Sequence, residues 1–212
     1  MRKFKLFRKE PIKVNDLYSY LDDNIDGFIR NHLTEEHINN IVLGIESLCK
    51  EHNLTTKDLI LVNKGGDAIT FQLDNKIIKL TFTYLYRAKS LTDYVSHSNY
   101  ILKPDKEIMV DINNEFVCAH ILETRKLDTS KIREKNVIDL YIKLREEGYL
   151  WEDTRARNIG MDIDGVIKLF DYGELICLHY LKPKEVEQKL YYHVNYKTYY
   201  NDEYAKRLTR KL

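Results

Sequence analysis

The 212-residue sequence has few cysteines, almost no net charge and no long apolar run. Its three cysteines, Cys49, Cys118 and Cys177, show no disulfide or metal-ligand spacing, so we interpret them as buried thiols in a reducing compartment. With 34 basic and 33 acidic residues, the formal net charge of +1 provides no global field for nucleic acid. No apolar run is long enough to span a membrane. We therefore expect no transmembrane segment and no nucleic-acid partner.

The N-terminal stretch MRKFKLFRKEPIKV is basic and lacks the apolar stretch of a signal peptide. We interpret it as a frayed tail and expect a cytoplasmic protein. Export into a host cell without an ordinary signal peptide stays an open alternative. The chain is long enough for one sizeable core or for two small lobes.

The most informative segment is YLWEDTRARNIGMDIDGVIKLFDYG, from Tyr149 to Gly173. It places Asp153, Asn158 and Asp171 at gaps of five and thirteen residues. The intervening pattern predicts two short strands, 159–161 and 166–170, joined by a tight turn at 162–165. We expect this hairpin to bring Asn158 and Asp171 together at its base. The carboxylates of Asp162 and Asp164 are interpreted as parts of a solvated turn.

This segment resembles the catalytic and metal-binding segment of protein kinase-like phosphotransferases. Phosphoryl transfer from ATP needs a group that positions the acceptor hydroxyl, and oxygen ligands for Mg²⁺. The resemblance implies that Asp153 positions the acceptor and that Asn158 and Asp171 bind the metal. It also implies that Arg155 neutralises charge on the transferring phosphoryl group.

The upstream sequence resembles the small nucleotide-binding lobe of the same family. Predicted strands cover 59–63, 69–73, 77–82, 107–112 and 115–122. The resemblance implies that Gly65 and Gly66 form a phosphate lid and that Lys79 binds the phosphates. An edge-strand lysine facing water is the open alternative for Lys79.

Two further parts of the nucleotide site follow from this resemblance. The helix predicted over 86–97 contains one acid, Asp93, which would pair with Lys79; a solvated helix face is the alternative. The segment from Glu123 to Arg125 corresponds to the hinge whose backbone binds the adenine edge.

Two amphipathic helices are predicted before the first strand, one over 14–29 and one over 38–49 with Thr34 as its N-cap. They suggest an antiparallel hairpin that covers the back of the small lobe or offers a surface to a regulatory protein. His32, His37 and His52 have no zinc-site spacing and are interpreted as surface or cap residues.

The large lobe is expected to be reduced. A helix over 131–147 with Gly148 as its C-cap precedes the catalytic loop, and one or two helices are predicted over 182–212. The 39 residues after Gly173 are too few for an activation segment and a peptide platform of ordinary size. Glu152 replaces the arginine that contacts a phosphorylated activation segment in the family. Trp151 replaces the preceding histidine, and we expect its indole N–H to find a backbone carbonyl.

These patterns predict an α+β, two-lobed protein kinase-like fold. A tail and helical hairpin (1–56) precede a small antiparallel-sheet N-lobe (57–125) and a reduced, mainly helical C-lobe (126–212). The chain resembles compact protein kinase-like proteins, in particular short bacterial effector kinases without an activation segment.

The resemblance implies an ATP- and Mg²⁺-dependent kinase that phosphorylates Ser or Thr on a protein. A regulatory protein at the N-terminal helices or the C-terminal tail is a separate expectation. A pseudokinase or protein-binding module is one alternative, which Ile77 and the partial glycine lid favour. A small-molecule kinase of the aminoglycoside or choline type is another, favoured by the missing peptide platform.

Overall fold

A computed structural model describes residues 12–13, 16–64, 68–83, 88–113, 117–172 and 174–196. They form an α+β structure, as the sequence predicts. The helices are α1 (Leu17–Asn24), α2 (Gly27–Arg30), α3 (Glu35–Glu51), α4 (Leu91–Tyr94), α5 (Glu134–Glu146) and α6 (Pro183–Tyr196). The strands are β1 (Ile12–Lys13), β2 (Ile60–Lys64), β3 (Ala68–Leu73), β4 (Lys76–Thr83), β5 (Lys106–Asn113), β6 (Val117–Arg125), β7 (Tyr149–Trp151), β8 (Ile159–Met161), β9 (Ile167–Leu169) and β10 (Leu175–Cys177).

The described residues divide into two compact units. The first comprises the described residues up to Thr83 together with Pro104–Arg125, and the second comprises 88–103 with the described residues from Lys126 onward. The predicted N-lobe, 57–125, thus included a segment that belongs to the second unit. Backbone pairing explains the difference, because Leu102 N–H donates to Leu169 O (2.8 Å) and Leu169 N–H donates to Tyr100 O (2.9 Å).

The first unit contains an antiparallel sheet with the strand order β1-β2-β3-β4-β6-β5. Its pattern of alternating burial is clearest in β3, where Ile69, Phe71 and Leu73 are buried and the intervening residues are half-buried. The β3–β4 turn begins at Asp74, whose φ of 52° is tolerated by a short polar side chain. The strands predicted for this unit are confirmed.

Helices α1, α2 and α3 pack their apolar residues onto one face of this sheet, where they share a continuous core with β3, β4 and β6. The predicted N-cap is confirmed: Thr34 Oγ1 accepts a hydrogen bond from His37 N–H (3.2 Å), and His37 Nδ1 accepts one from Thr34 N–H (3.1 Å). The helix predicted over 14–29 is instead divided into α1 and α2. The chain turns extended at Ile25, with φ −67° and ψ 137°, because its side chain is drawn into the core.

The second unit contains α4, α5, α6 and two small antiparallel pairs, β7–β10 and β8–β9. Helix α5 ends as predicted, with Gly148 at a φ of 83°. The helix predicted over 86–97 has only four described helical residues in α4. It starts late because Ser90 caps it, accepting from Asp93 N–H (3.0 Å), and it ends early because Ser96 Oγ donates to Asp93 O (2.7 Å).

The C-terminal helix predicted within 182–212 is observed as α6, and the rest of that prediction, 197–212, lies outside the described residues. Among the described residues, no helix combines the length and apolar character needed to cross a membrane.

Candidate active site

The predicted catalytic loop begins where β7 ends. Strand β7 pairs with β10 in the register Trp151↔Leu175, and the three residues of each strand are buried. The backbone pairing continues one residue further, because Glu152 N–H donates to Glu174 O (2.8 Å). This pairing fixes the backbone immediately before Asp153.

Asn158 holds the Asp153 carboxylate through its side-chain amide. Asn158 Nδ2 donates to Asp153 Oδ2 (2.8 Å) and to Asp153 O (2.9 Å). Asn158 is buried, with 4% of its surface exposed, and it ends the short 3₁₀ turn Ala156–Asn158. A buried amide with both donor hydrogens bonded is a rigid support. The loop between these two residues therefore has a defined conformation.

Arg155 is the second partner of Asp153. Arg155 Nε lies 2.7 Å from Asp153 Oδ1, and the Arg155 backbone N–H donates to Asp153 O (2.8 Å). The arginine side chain is 54% exposed and that of Asp153 is 24% exposed. Because the pair is in contact with water, breaking it costs little, and the guanidinium is able to leave the carboxylate for a stronger anion.

The hairpin predicted after Asn158 is confirmed as β8–β9, in the register Ile159↔Leu169. At its base, Phe170 N–H donates to Asn158 O (3.0 Å). This bond places Asp171 one residue beyond the end of the ladder, next to the segment that carries Asn158. Asp171 is half-buried. The next residue, Tyr172, is buried, and its hydroxyl donates to Leu102 O.

The interpretation of Asp162 as a solvated turn residue is wrong. Its side chain is 3% exposed, and Asp162 Oδ1 accepts from the N–H groups of Asp164 (3.0 Å) and Val166 (2.9 Å). Lys168 Nζ lies 3.6 Å from Asp162 Oδ2. The carboxylate therefore closes the turn from inside, in the manner of an Asx turn. Asp164 is exposed, as expected.

Trp151 occupies the predicted packing position, since it is 1% exposed. The expected hydrogen bond is absent: among the described residues, Trp151 Nε1 has no acceptor.

Asn158 and Asp171 are suited to hold Mg²⁺. With both Nδ2 hydrogens directed at Asp153, the Asn158 carbonyl oxygen has no donor among the described residues. The part of the chain that the structure describes contains no group of three or more His, Cys, Asp and Glu side chains fit for a metal. Mg²⁺ commonly takes one or two protein oxygens and completes its shell with phosphates and water. One oxygen from Asn158 and one from Asp171 fit this type of coordination.

Lys79 lies on the central strand β4 of the first unit, where it pairs with Thr70 on β3 and Leu122 on β6. It is 8% exposed, so the alternative of a solvated edge lysine is wrong. Its neighbours Ile78 and Leu80 belong to the core shared with the helices, so alternation places Lys79 on the opposite face of the sheet. Ile77, one of the departures from the family, is half-buried on that same face.

The predicted hinge is the end of β6. Thr124 and Arg125 pair with β4, whereas the β5 ladder begins only at Lys106↔Glu123. Within the described residues, Thr124 and Arg125 thus have no strand partner on the β5 side. Their backbone forms an open edge of the kind that a nucleotide base would pair with. Glu123 itself differs, because its carbonyl accepts from Asp105 N–H (2.8 Å) and its carboxylate is buried.

The remaining parts of the predicted nucleotide site are Asp93 and the lid glycines. The Asp93 carboxylate accepts from Lys89 N–H (3.3 Å) in the second unit, so its expected pairing with Lys79 gains no support from this placement. Gly65 and Gly66 lie outside the described residues.

The polar cluster around Glu123 was not predicted from the sequence. His52 Nε2 lies 2.8 Å from Glu123 Oε2, and Lys76 Nζ lies 3.5 Å from Glu123 Oε1. No sequence pattern indicates this contact, because His52 and Glu123 are 71 residues apart. The one available signal is an acid in an otherwise apolar strand, since a buried carboxylate requires a partner.

Comparisons with known proteins give structural neighbours only. No protein-family model and no curated protein matches the sequence. Among solved structures, the chain is similar to the ROP18 kinase domain in complex with AMP-PNP and sucrose, with 12% identity and a TM-score of 0.33. The matched region covers 56% of this chain and 51% of that one.

The chain is also similar to WbdD in complex with the kinase inhibitor LY294002 and to monomeric WbdD. The identities are 10% and 11% and the TM-scores 0.33 and 0.31. The matches cover 73% and 68% of this chain, but only 42% and 40% of the WbdD chains.

Proposed function

We propose that this chain is an ATP- and Mg²⁺-dependent phosphotransferase that acts on an alcohol, with a Ser or Thr hydroxyl of a protein as the acceptor. The observation that carries the proposal is the Asn158 amide, which fixes Asp153 with its nitrogen and leaves its oxygen for a metal. It is supported by the base of the β8–β9 hairpin, where Phe170, the residue before Asp171, donates its N–H to Asn158 O. Bound Mg²⁺ would supply charge neutralisation on the phosphates.

The chain's own residues have the following roles. The Asp153 carboxylate accepts the hydrogen bond of the acceptor hydroxyl and directs its oxygen. Arg155 leaves Asp153 and neutralises the phosphoryl group as charge develops. Lys79 belongs to the first unit, and its role on the phosphates stays a prediction.

A non-catalytic protein-binding module is a second candidate. It is favoured by the local partner of Asp93 and by Arg155, which neutralises the carboxylate that should act on the acceptor. A small-molecule kinase is a variant of the first proposal with a different acceptor. Binding of Mg²⁺·ATP distinguishes the binding module from both kinases. The molecule that receives the phosphoryl group distinguishes a protein kinase from a small-molecule kinase.

Calorimetric titration with ATP in the presence and absence of Mg²⁺ provides the first test. Asp171→Asn should lose the Mg²⁺-dependent part of binding, whereas Asp164→Asn, which changes an exposed carboxylate on the same hairpin, should behave like the wild type. If the wild-type chain binds no Mg²⁺·ATP, the module is the correct function.

Transfer of labelled γ-phosphate is then measured to the chain itself, to a general protein substrate and to a panel of aminoglycosides and other alcohols. Labelling of protein would support the proposal. If only the small alcohols were labelled, the acceptor would be a small molecule and not a protein. Equal transfer by the wild type and Asp171→Asn would contradict the metal role.

A further inference from the structure

Glu123 carries a buried carboxylate near the end of β6. Its side chain is 3% exposed and is contacted by two nitrogens, His52 Nε2 at 2.8 Å and Lys76 Nζ at 3.5 Å. A carboxylate removed from water is stable only when it is paired and hydrogen-bonded. The position of this end of β6 therefore depends on these two partners.

The two partners are not equivalent. Lys76 Nζ is shared, because it also lies 2.8 Å from Asp105 Oδ2. This second contact, with its hydrogen bond, raises the pKa of Lys76 and keeps the ammonium charged. His52 forms the shorter contact with Glu123, and its ring has no other hydrogen-bonding partner among the described residues. His52 is thus the partner dedicated to Glu123.

The backbone of His52 is held by the end of α3. His52 N–H and Leu54 N–H both donate to Cys49 O (3.0 Å each), and Asn53 adopts a φ of 57° that ends the helix. The imidazole is therefore presented to Glu123 from a fixed point.

The residues that follow Glu123 are Thr124 and Arg125, the open edge of β6. We propose that His52 is a positioning residue: through Glu123 it holds this edge in place for the nucleotide base, an inference that rests on the proposed function. The helical hairpin then sets nucleotide affinity as well as covering the sheet. Because Thr124 and Arg125 directly follow Glu123 in the chain, a displacement of Glu123 also displaces their backbone.

The test compares His52→Ala and His52→Gln with the wild-type chain. The glutamine amide is able to donate a hydrogen bond to Glu123 and should restore most of the effect. Glu51→Ala is the matched control, because Glu51 pairs with Lys106 at the same end of α3. Both members of that control pair are largely exposed, 43% and 45%, so its loss should change little.

Two readouts are used. Amide hydrogen exchange of Thr124 is measured by NMR without nucleotide, and Mg²⁺·ATP affinity and kcat are measured with it. Loss of a hydrogen bond to a buried charge should speed exchange at the Thr124 amide, which pairs with β4, by about tenfold or more and weaken ATP binding by a similar factor. We expect kcat to change by less than about twofold, because the proposed charge stabilisation of the transition state comes from other groups.

Unchanged exchange in His52→Ala, or an equal effect of Glu51→Ala, would overturn the positioning role. So would faster exchange with no loss of affinity in a chain that binds ATP. If the exchange result is as expected but the wild-type chain binds no nucleotide, His52 still positions the β6 edge and the proposed phosphotransferase function is the part that fails.

Discussion

Asn158 and Asp153 are joined through a single side-chain amide, whose nitrogen donates to both the carboxylate (2.8 Å) and the backbone carbonyl (2.9 Å) of Asp153. The amide thus orients the carboxylate and the loop at once. Its carbonyl oxygen, pointing away from these contacts, is the one we assign to Mg²⁺.

Replacing Asn158 by alanine should remove both functions. We expect the rate of phosphoryl transfer to fall about a hundredfold or more, as for the loss of other groups that stabilise charge. The free energy of unfolding should fall by about 1–3 kcal/mol, because buried hydrogen bonds are lost. Steady-state kinetics and chemical denaturation measure the two effects. Asn136→Ala, which removes the hydrogen bond to Arg133 N–H at the start of α5, should lower stability alone.

Arg155→Ala should separate activity from stability. Arg155 is largely exposed and its pair with Asp153 is in contact with water, so the melting temperature should barely change. Turnover should nevertheless fall by about tenfold to a hundredfold, because the guanidinium is assigned to the developing charge. Arg157→Ala provides the control on the same exposed turn. Equal turnover in the two variants would argue against a role for Arg155.

Trp151→Phe tests the meaning of the unpaired indole N–H. The smaller ring leaves a cavity but removes a buried donor that has no acceptor among the described residues. These effects oppose each other, so we expect a net loss of stability below about 1.5 kcal/mol. Trp151→Ala should cost about 3–5 kcal/mol, because the whole side chain is lost from the core. Thermal and urea unfolding measure the stability of both variants. A Phe variant as unstable as the Ala variant would show that the indole N–H has a hydrogen-bonding partner.

The pKa of Cys49 predicts a loss of stability at alkaline pH. Burial, and to a smaller extent Asp58 and Glu46, raises this pKa from 9.0 to about 11. The unfolded chain therefore releases the thiol proton more readily than the folded chain, so stability from this group is complete below about pH 9 and is lost as pH rises toward 11. Urea unfolding between pH 8 and 11 measures this loss of stability, and Cys49→Ala, which lacks the thiol, is the comparison.

Alkylation by iodoacetamide gives an independent check on the same thiol. Because the thiolate is the reactive form, Cys49 should react in the native chain far more slowly than in the urea-unfolded chain at the same pH. Mass spectrometry of the peptide that contains Cys49 reports the rate. Rapid native labelling at pH 8 would contradict the buried, protonated state.

Much of the local structure could be predicted because its causes lie close together in the sequence. Thr34 caps α3 with a partner three residues away, and the alternation in Ile69, Phe71 and Leu73 identifies β3. The β8–β9 hairpin follows from two apolar runs around the Asp162–Gly165 turn. The broken first helix was missed because helical spacing alone does not reveal where Ile25 leaves the helix to enter the core.

The charges inside the fold could not be predicted in this way. The sequence did not indicate that Asp162 closes its turn from a buried position, nor that Glu123 has His52 and Lys76 as partners. Whether a carboxylate is solvated or buried depends on which distant residues pack around it. The energetic cost of burial then selects the partners.

The sequence by itself determined the spacing of Asp153, Asn158 and Asp171 and the strands between them, because hydrogen bonding within a loop and a hairpin is local. Tertiary structure alone decided that 88–103 belongs with the second unit, that Lys79 is buried, and that His52 holds Glu123. These outcomes require chain segments tens of residues apart to exclude water together, which a linear pattern does not record. The Tyr149 to Gly173 segment thus specifies the chemistry that we propose, while packing decides which of its charged side chains are buried.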